Sequence, residues 1–131
     1  MILFTNFIVC DTVLATDVVF LLDTSSGVGA ENFEKMKVFM KKIIESFDIN
    51  NQLTRVGVMT YDVDARLDIK LSDYNNMALL FERIDELKYM SGELTRIDKA
   101  LIHVNDVAYA EENGGRDGVN RVCIVTYFNV Y

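Results

Sequence analysis

Short apolar runs and longer helical stripes alternate along this chain of 131 residues. Residues 17–23 (DVVFLLD), 55–61 (RVGVMTY) and 121–128 (RVCIVTYF) are mostly apolar runs, which are typical of strands in a sheet that is covered on both faces. Residues 66–71 (RLDIKL) begin shortly after the second run, which predicts an antiparallel hairpin. We expect 17–23 to lie between 121–128 and 55–61, with 66–71 at the edge of the sheet.

Three further segments carry apolar residues at the spacing of a helix. The first covers residues 31–47 and places its lysines largely off the apolar stripe. The second follows Ser72 or Asp73, either of which can cap it, and the third covers residues 97–108. The order β-α-β-β-α-α-β predicts an α/β domain with a mainly parallel sheet and one antiparallel edge hairpin. The stripes are Phe33, Met36, Met40, Ile43, Ile44 and Phe47; Met77, Leu80, Phe81, Ile84 and Leu87; and Ile97, Ala100, Leu101, Val104, Val107 and Ala108.

Composition and charge argue against several classes of function. The chain has 13 basic and 20 acidic residues and a formal net charge of −7. This disfavours nucleic-acid and anionic-membrane partners, because these require a basic face. No apolar run reaches the roughly 20 residues of a membrane span. With two cysteines, Cys10 and Cys123, and one histidine, neither a disulfide scaffold nor a zinc cluster is expected.

The first fifteen residues, MILFTNFIVCDTVLA, are predicted to be a signal peptide. They begin with an apolar stretch, and Val13 and Ala15 are small residues at the spacing that signal peptidase accepts. An extra N-terminal strand is the alternative interpretation. Cleavage would remove Cys10, leave Cys123 as the one thiol of the secreted chain, and place the protein outside the cell.

A loop rich in hydroxyl groups follows the first strand. Residues 23–29 (DTSSGVG) combine a carboxylate with hydroxyls at the carboxyl end of a strand, where ligand sites of such sheets lie, and these donors suit Mg²⁺. A dinucleotide loop would need a glycine at Asn32, and a phospho-aspartyl hydrolase would need an acid at Ser25. An aspartic protease would need a second carboxylate from another lobe or subunit. A hydrolase that uses Asp23 stays open as an alternative, with a second acid still to be found.

Residues 17–37 (DVVFLLDTSSGVGAENFEKMK) strongly resemble the opening of a von Willebrand factor type A domain, as in collagen VI, matrilins and cochlin. The resemblance implies a Rossmann-like, doubly wound fold. It also implies a non-enzymatic, extracellular adhesion module that binds a protein ligand, such as collagen or another matrix protein, often through a metal-ion-dependent adhesion site. The resemblance continues through residues 55–61, 71–74, 89–101 and 121–125.

The adhesion site that this resemblance implies is only partly present. Asp23 and Ser25 match its first Asp and first Ser, and Thr95 is the best match for the Thr of its second loop. Gly27 stands where the second Ser is expected, and Phe128 stands about where an Asp is expected. Because a carboxylate and a hydroxyl are missing, we expect a degenerate site that binds Mg²⁺ weakly or not at all.

The resemblance ends near Thr126. We therefore expect residues 16–131 to be a partial domain, truncated after its fourth strand. The last strand would then present an open edge, through which the chain could self-associate. A non-functional fragment of a larger matrix protein is the remaining alternative.

The acids near the predicted hairpin are weak evidence for a calcium site. Asp62 and Asp64 have the spacing of the first calcium ligands, but Arg66 and Leu67 stand where a ligand and a glycine are needed. Asp62 and Asp64 are therefore predicted to be solvated carboxylates.

Overall fold

A four-stranded sheet forms the centre of the computed structural model, which describes residues 14–127. β1 pairs in parallel with β2 and with β4, while β2 and β3 form an antiparallel hairpin, so the order across the sheet is β3-β2-β1-β4. This order and these directions confirm the predicted topology. The strands are β1 (Thr16–Asp23), β2 (Thr54–Tyr61), β3 (Ala65–Ile69) and β4 (Asn120–Thr126).

β1 lies at the centre of two apolar layers. Every residue from Asp17 to Asp23 is buried, because the strand is paired on both edges and covered on both faces. Val18, Phe20 and Leu22 pack into one layer, and Val19 and Leu21 pack into the other. The alternation follows from the two-residue repeat of a strand.

Helices cover both faces of the sheet, as the resemblance to a doubly wound fold implied. The helices α1 (Ala30–Ile44) and α2 (Met77–Asp85) contribute their apolar residues to the layer that contains Phe20. The helix α3 (Ile97–His103) and the π-helical turn Val104–Ala108 that continues it contribute to the other layer. Within the described residues, no helix is long and apolar enough to cross a membrane.

The start of α2 differs from the predicted one. Neither Ser72 nor Asp73 caps the helix; the side-chain oxygen of Asn76 accepts hydrogen bonds from the backbone N–H of Ala78 and Leu79, at 2.9 and 3.2 Å. Asn76 directly precedes the first helical residue, and this is the position from which a side chain can reach those free N–H groups.

Only part of the predicted apolar stripe of the third helix is buried. Ala100, Val104 and Ala108, which are spaced four apart, face the sheet, whereas Ile97 and Leu101 are 39% and 44% exposed. Residues four apart lie one above the other on a helix, so Ala100, Val104 and Ala108 form one narrow line of contact with the sheet. Ile97 and Leu101 lie beside this line.

Lys37 was predicted to lie off the apolar stripe of α1, but its side chain is buried. Its ammonium donates hydrogen bonds to the carbonyl oxygens of Asp85 and Leu87, at 3.1 and 3.3 Å, and forms an ion pair with Glu34 at 2.9 Å. Carbonyl groups at a helix C-terminus lack partners within the helix and carry partial negative charge. Lys37 therefore caps the end of α2 and ties it to α1.

A buried ion pair connects the amino end of β1 to the loop that precedes β4. The side chain of Asp17 is fully buried, and its carboxylate accepts hydrogen bonds from the backbone N–H and from Nε of Arg116, both at 2.8 Å. The same guanidinium donates to the carbonyl oxygens of Thr16 and Leu53, at 3.1 and 2.8 Å. Arg116 thus joins three segments that are distant in sequence.

Candidate functional site

Three segments meet at the carboxyl ends of β1 and β2, and we refer to them as the carboxyl-end loops. They are residues 24–29 between β1 and α1, residues 62–64 between β2 and β3, and residues 89–95 before α3. Ligand sites of open parallel sheets lie at this end of the strands. The predicted site residues Asp23, Ser25 and Thr95 all fall at or in these loops.

Asp23 and Ser25 form a compact turn at the end of β1. Both residues are buried, and the backbone N–H of Ser25 donates a hydrogen bond of 2.8 Å to Oδ1 of Asp23. Burial raises the pKa of the Tyr61 phenol on the neighbouring strand, and the negative charge of Asp23 raises it further. The structure therefore brings the first two predicted ligands together and fixes the carboxylate that precedes the loop.

Asp62 is not the solvated carboxylate that its position in a turn suggested. It is buried, and Arg66 donates hydrogen bonds to both of its oxygens, Oδ1 at 3.1 Å and Oδ2 at 3.0 Å. Nη2 of Arg66 also donates to the hydroxyl of Thr24, at 3.0 Å. Hydrogen bonding to Arg66 lowers the pKa of Asp62. The signal in the sequence was an acid and an arginine that flank a short hairpin turn, which can bring two such side chains together.

Gly92 joins the third segment to the first. Its carbonyl oxygen accepts a hydrogen bond from the N–H of Ser26 at 2.7 Å, and its own N–H donates to the carbonyl of Thr24 at 3.2 Å. A Cβ atom on Gly92 would overlap the side chain of Asp62, so only glycine allows this close approach. This close approach is not apparent from the sequence, in which Gly92 and Asp62 lie far apart.

The remaining predicted positions contribute less to the observed geometry. Thr95 is exposed, and its side chain makes no hydrogen bond with the described residues; the N–H of the next residue, Arg96, donates to the carbonyl of Asp62 at 2.8 Å. Gly27 is exposed at the tip of the first loop, with open space around the position of a Cβ atom. Phe128 lies outside the described residues.

Among residues 14–127, no group of three or more acidic, cysteine or histidine side chains is placed to hold a metal ion. Arg66 also lines a cavity of about 240 Å³ with Asp68, Arg83 and Lys88. The lining of this cavity therefore carries both positive and negative charges.

The chain belongs to the von Willebrand factor type A domain family, which matches it over residues 17–127. It is 34% identical over 112 residues to matrilin-1 of Gallus gallus and 32% identical over 111 residues to von Willebrand factor A domain-containing protein 2 of Homo sapiens. Each match covers 85% of this chain. The chain spans 22% of the length of the first relative and 15% of the length of the second.

Solved structures share the fold. A structure of proximal thread matrix protein 1 from the mussel byssus superposes with a TM-score of 0.80 at 22% identity, over 86% of this chain and 30% of that one. A second structure of the same protein, with a zinc-occupied MIDAS motif, has a TM-score of 0.77 at 21% identity, over 84% of this chain and 30% of that one. At this identity the likeness shows the fold alone.

Proposed function

We propose that this chain is the protein-binding module of an extracellular matrix or adhesion protein, and that it contacts its partner through the carboxyl-end loops. Its membership of the von Willebrand factor type A family, with matrilin-1 among its relatives, is the observation that carries the proposal. The hydrogen bonds among the three loops support it, because a surface that is already ordered loses little conformational entropy when it binds. Collagen and other matrix proteins are the partner class.

The donor atoms support only weak binding of Mg²⁺, or none. Asp23 supplies one carboxylate and Ser25 one hydroxyl, while Gly27 supplies no side-chain oxygen, and Thr95 is exposed on the neighbouring segment. A divalent cation of this size requires six well-placed oxygens, and water fills the positions that the protein leaves open. The described residues therefore do not fit a tightly held cation.

The charges around the loop also favour weak binding of Mg²⁺, or none. The guanidinium of Arg66 is hydrogen-bonded to Thr24, which stands between the two predicted ligands Asp23 and Ser25. Because this guanidinium is paired with Asp62, the two charges together add no net negative charge that would attract a cation. The carboxylate of Asp62 is already paired with the same guanidinium, so it is not free to replace the missing acid.

A hydrolytic role for Asp23 has little support from the geometry. Acid–base catalysis by two carboxylates needs a second acid whose pKa lies near the working pH. Asp62 lies in the adjoining loop and is a candidate for the second acid. The hydrogen bonds from Arg66 lower its pKa, so it does not meet this requirement. We therefore propose a non-enzymatic module.

Secretion is part of the proposal. The predicted signal peptide lies almost entirely outside the described residues, so its support is the sequence itself. The thiol of Cys123 is half-buried, and burial raises its pKa to about 11, which suits an unreactive cysteine in an oxidising compartment. N-terminal sequencing of the protein secreted from cultured cells should begin at Thr16, and a mature chain that retains Met1 would contradict cleavage.

We also propose that this chain self-associates through β4. Val122, Cys123, Ile124 and Val125 are half-buried, whereas the residues of β1 that pair with them are fully buried. In the described sheet β4 pairs only with β1. A second copy that adds a strand there would cover both the free backbone groups and this apolar surface.

A steric block tests the binding surface. Ser26 is exposed at the tip of the first loop, and Glu45 is exposed at the opposite end of α1. We expect Ser26→Trp to weaken binding to a collagen-coated surface by about tenfold or more, and Glu45→Trp to leave it unchanged. Equal effects of the two substitutions would place the contact elsewhere, and no saturable binding of the natural chain would exclude collagen as the partner.

A further inference from the structure

We propose that the hydroxyl group of Tyr89 is the positioning group of the candidate site, because it fastens both ends of the loop from Ser25 to Gly29 in one conformation. The proposal rests on the proposed function, since this loop carries part of the surface assigned to the partner. The hydroxyl of Tyr89 hydrogen-bonds to the backbone of this loop, which places the predicted ligand Ser25.

One hydroxyl makes two hydrogen bonds to this loop. The hydroxyl of Tyr89 donates to the carbonyl oxygen of Ser25 at 2.9 Å and accepts from the N–H of Gly29 at 3.2 Å. The Ser25 carbonyl also accepts from the N–H of Val28 at 3.0 Å, which closes the turn within the loop. The first and the last residue of the loop are therefore held by the same oxygen atom.

The ring of Tyr89 places this oxygen. Its centroid lies 5.8 Å from that of Phe33, with the ring planes inclined by 40°, and Phe33 is fully buried on α1. The half-buried ring of Tyr89 also packs against the apolar layer below the loop. Because ring packing and hydroxyl bonding are separate, removing the hydroxyl alone should leave the packing intact.

The loop needs this support from outside. Gly29, the residue before α1, has φ +78° and no side-chain cap for the helix, and Ser26 and Gly27 are exposed. The second attachment of the loop, to Gly92, comes from the same segment as Tyr89. Residues 89–92 thus form hydrogen bonds with Thr24, Ser25, Ser26 and Gly29.

Tyr89→Phe tests the proposal by amide hydrogen exchange. We expect the amides of Val28 and Gly29 to exchange about tenfold faster, because a lost hydrogen bond allows local opening of the loop, while the amides of β1 and β2 keep their rates. Tyr74→Phe is the matched control: Tyr74 is half-buried in the same layer, and its hydroxyl makes no hydrogen bond with the described residues. Unchanged loop amides in Tyr89→Phe, or equal changes in the two variants, would overturn the proposal.

The natural chain gives a second test that needs no substitution. The hydroxyl proton of Tyr89 should exchange slowly with water and show a nuclear Overhauser effect to the amide proton of Gly29. A hydroxyl proton that exchanges as fast as that of an exposed tyrosine would also overturn the proposal.

A metal probe connects the loop to the site. In a chain that carries Gly27→Ser and Phe128→Asp, Mn²⁺ affinity should fall about tenfold when Tyr89→Phe is added, with an unchanged melting temperature. Equal Mn²⁺ affinity with and without the hydroxyl would overturn the positioning role. If the chain with both restored ligands binds no Mn²⁺, the assignment of the ligand positions is wrong, and amide exchange alone decides the role of Tyr89.

Discussion

The guanidinium of Arg66 donates hydrogen bonds to both carboxylate oxygens of Asp62, at 3.1 and 3.0 Å, and extends to the hydroxyl of Thr24. This arrangement ties the turn between β2 and β3 to the loop that follows β1. It also leaves one positive and one negative charge paired beside Asp23. The ion pair between Arg66 and Asp62 therefore holds two of the carboxyl-end loops together.

The ion pair should make stability depend on pH. Arg66 lowers the pKa of Asp62 in the folded chain. The ion pair therefore stabilises the fold fully at pH values above the pKa of Asp62 in the unfolded chain, which is about 3.9. It is lost as the pH falls through the folded value. We expect Arg66→Ala to reduce the free energy of unfolding by about 1–2 kcal/mol at pH 7, and the difference from the natural chain to shrink at pH 3 and below.

Urea unfolding at both pH values measures this effect. Arg83→Ala is the control, because Arg83 pairs with the exposed Glu86 at 3.6 Å and surface pairs contribute little. A loss for Arg66→Ala that stays the same at low pH would show that the pair with Asp62 is not its cause.

The pair between Asp17 and Arg116 should contribute much more. Asp17 is fully buried, and removing Arg116 leaves its charge without a partner, so Arg116→Ala should destabilise the fold by about 3–5 kcal/mol. Arg96→Ala should cost far less, because Arg96 and Asp98 are both exposed. Thermal unfolding of the two variants makes the comparison, and similar losses would contradict the assigned role of burial.

Restoring the missing ligands should strengthen metal binding. A side chain at Gly27 meets open space, so Gly27→Ser is sterically permitted, and Phe128→Asp returns the absent acid. We expect calorimetry to detect no micromolar Mg²⁺ affinity in the natural chain, at least tenfold tighter binding after both changes, and loss of that gain on Asp23→Ala. Micromolar affinity in the natural chain that Asp23→Ala abolishes would refute the degenerate site.

Self-association through β4 should depend on concentration. Sedimentation velocity of residues 16–131 is expected to show dimers that form as concentration rises, since pairing through an open strand edge follows mass action. The amides of β4 should become protected at high concentration, while those of β3, the other edge strand of the described sheet, should not. A monomer that melts cooperatively above about 55 °C at every concentration would contradict the proposal.

Much of the fold was predictable because burial is encoded locally. The runs at 17–23 and 121–128 contain apolar residues for both faces, as strands within a covered sheet require. The short turn after Tyr61 permits only an antiparallel partner. Asp23 and Ser25 were also predictable as neighbours, because two residues at the end of one strand stay together in any tertiary arrangement.

The loop network was not predictable in the same way. The hydroxyl of Tyr89 meets Ser25 across 64 residues of sequence, and Lys37 meets the end of α2 across about 50. A tyrosine or lysine carries no local mark of a distant partner, so its role follows from which backbone groups the packed elements leave without a hydrogen bond. Asp62 was misjudged for the same reason, since a carboxylate in a turn is solvated unless the fold brings a cation to it.

The sequence by itself determined the strands, their order in the sheet, the family and the first two residues of the candidate site, because these depend on local patterns of burial and spacing. Only the tertiary structure decided that Ile97 and Leu101 stay exposed, that Gly92 must be glycine and that Arg66 neutralises Asp62. These outcomes depend on close contacts between segments distant in sequence. Such contacts exist only after the apolar layers have brought those segments together, and a local pattern carries no record of them.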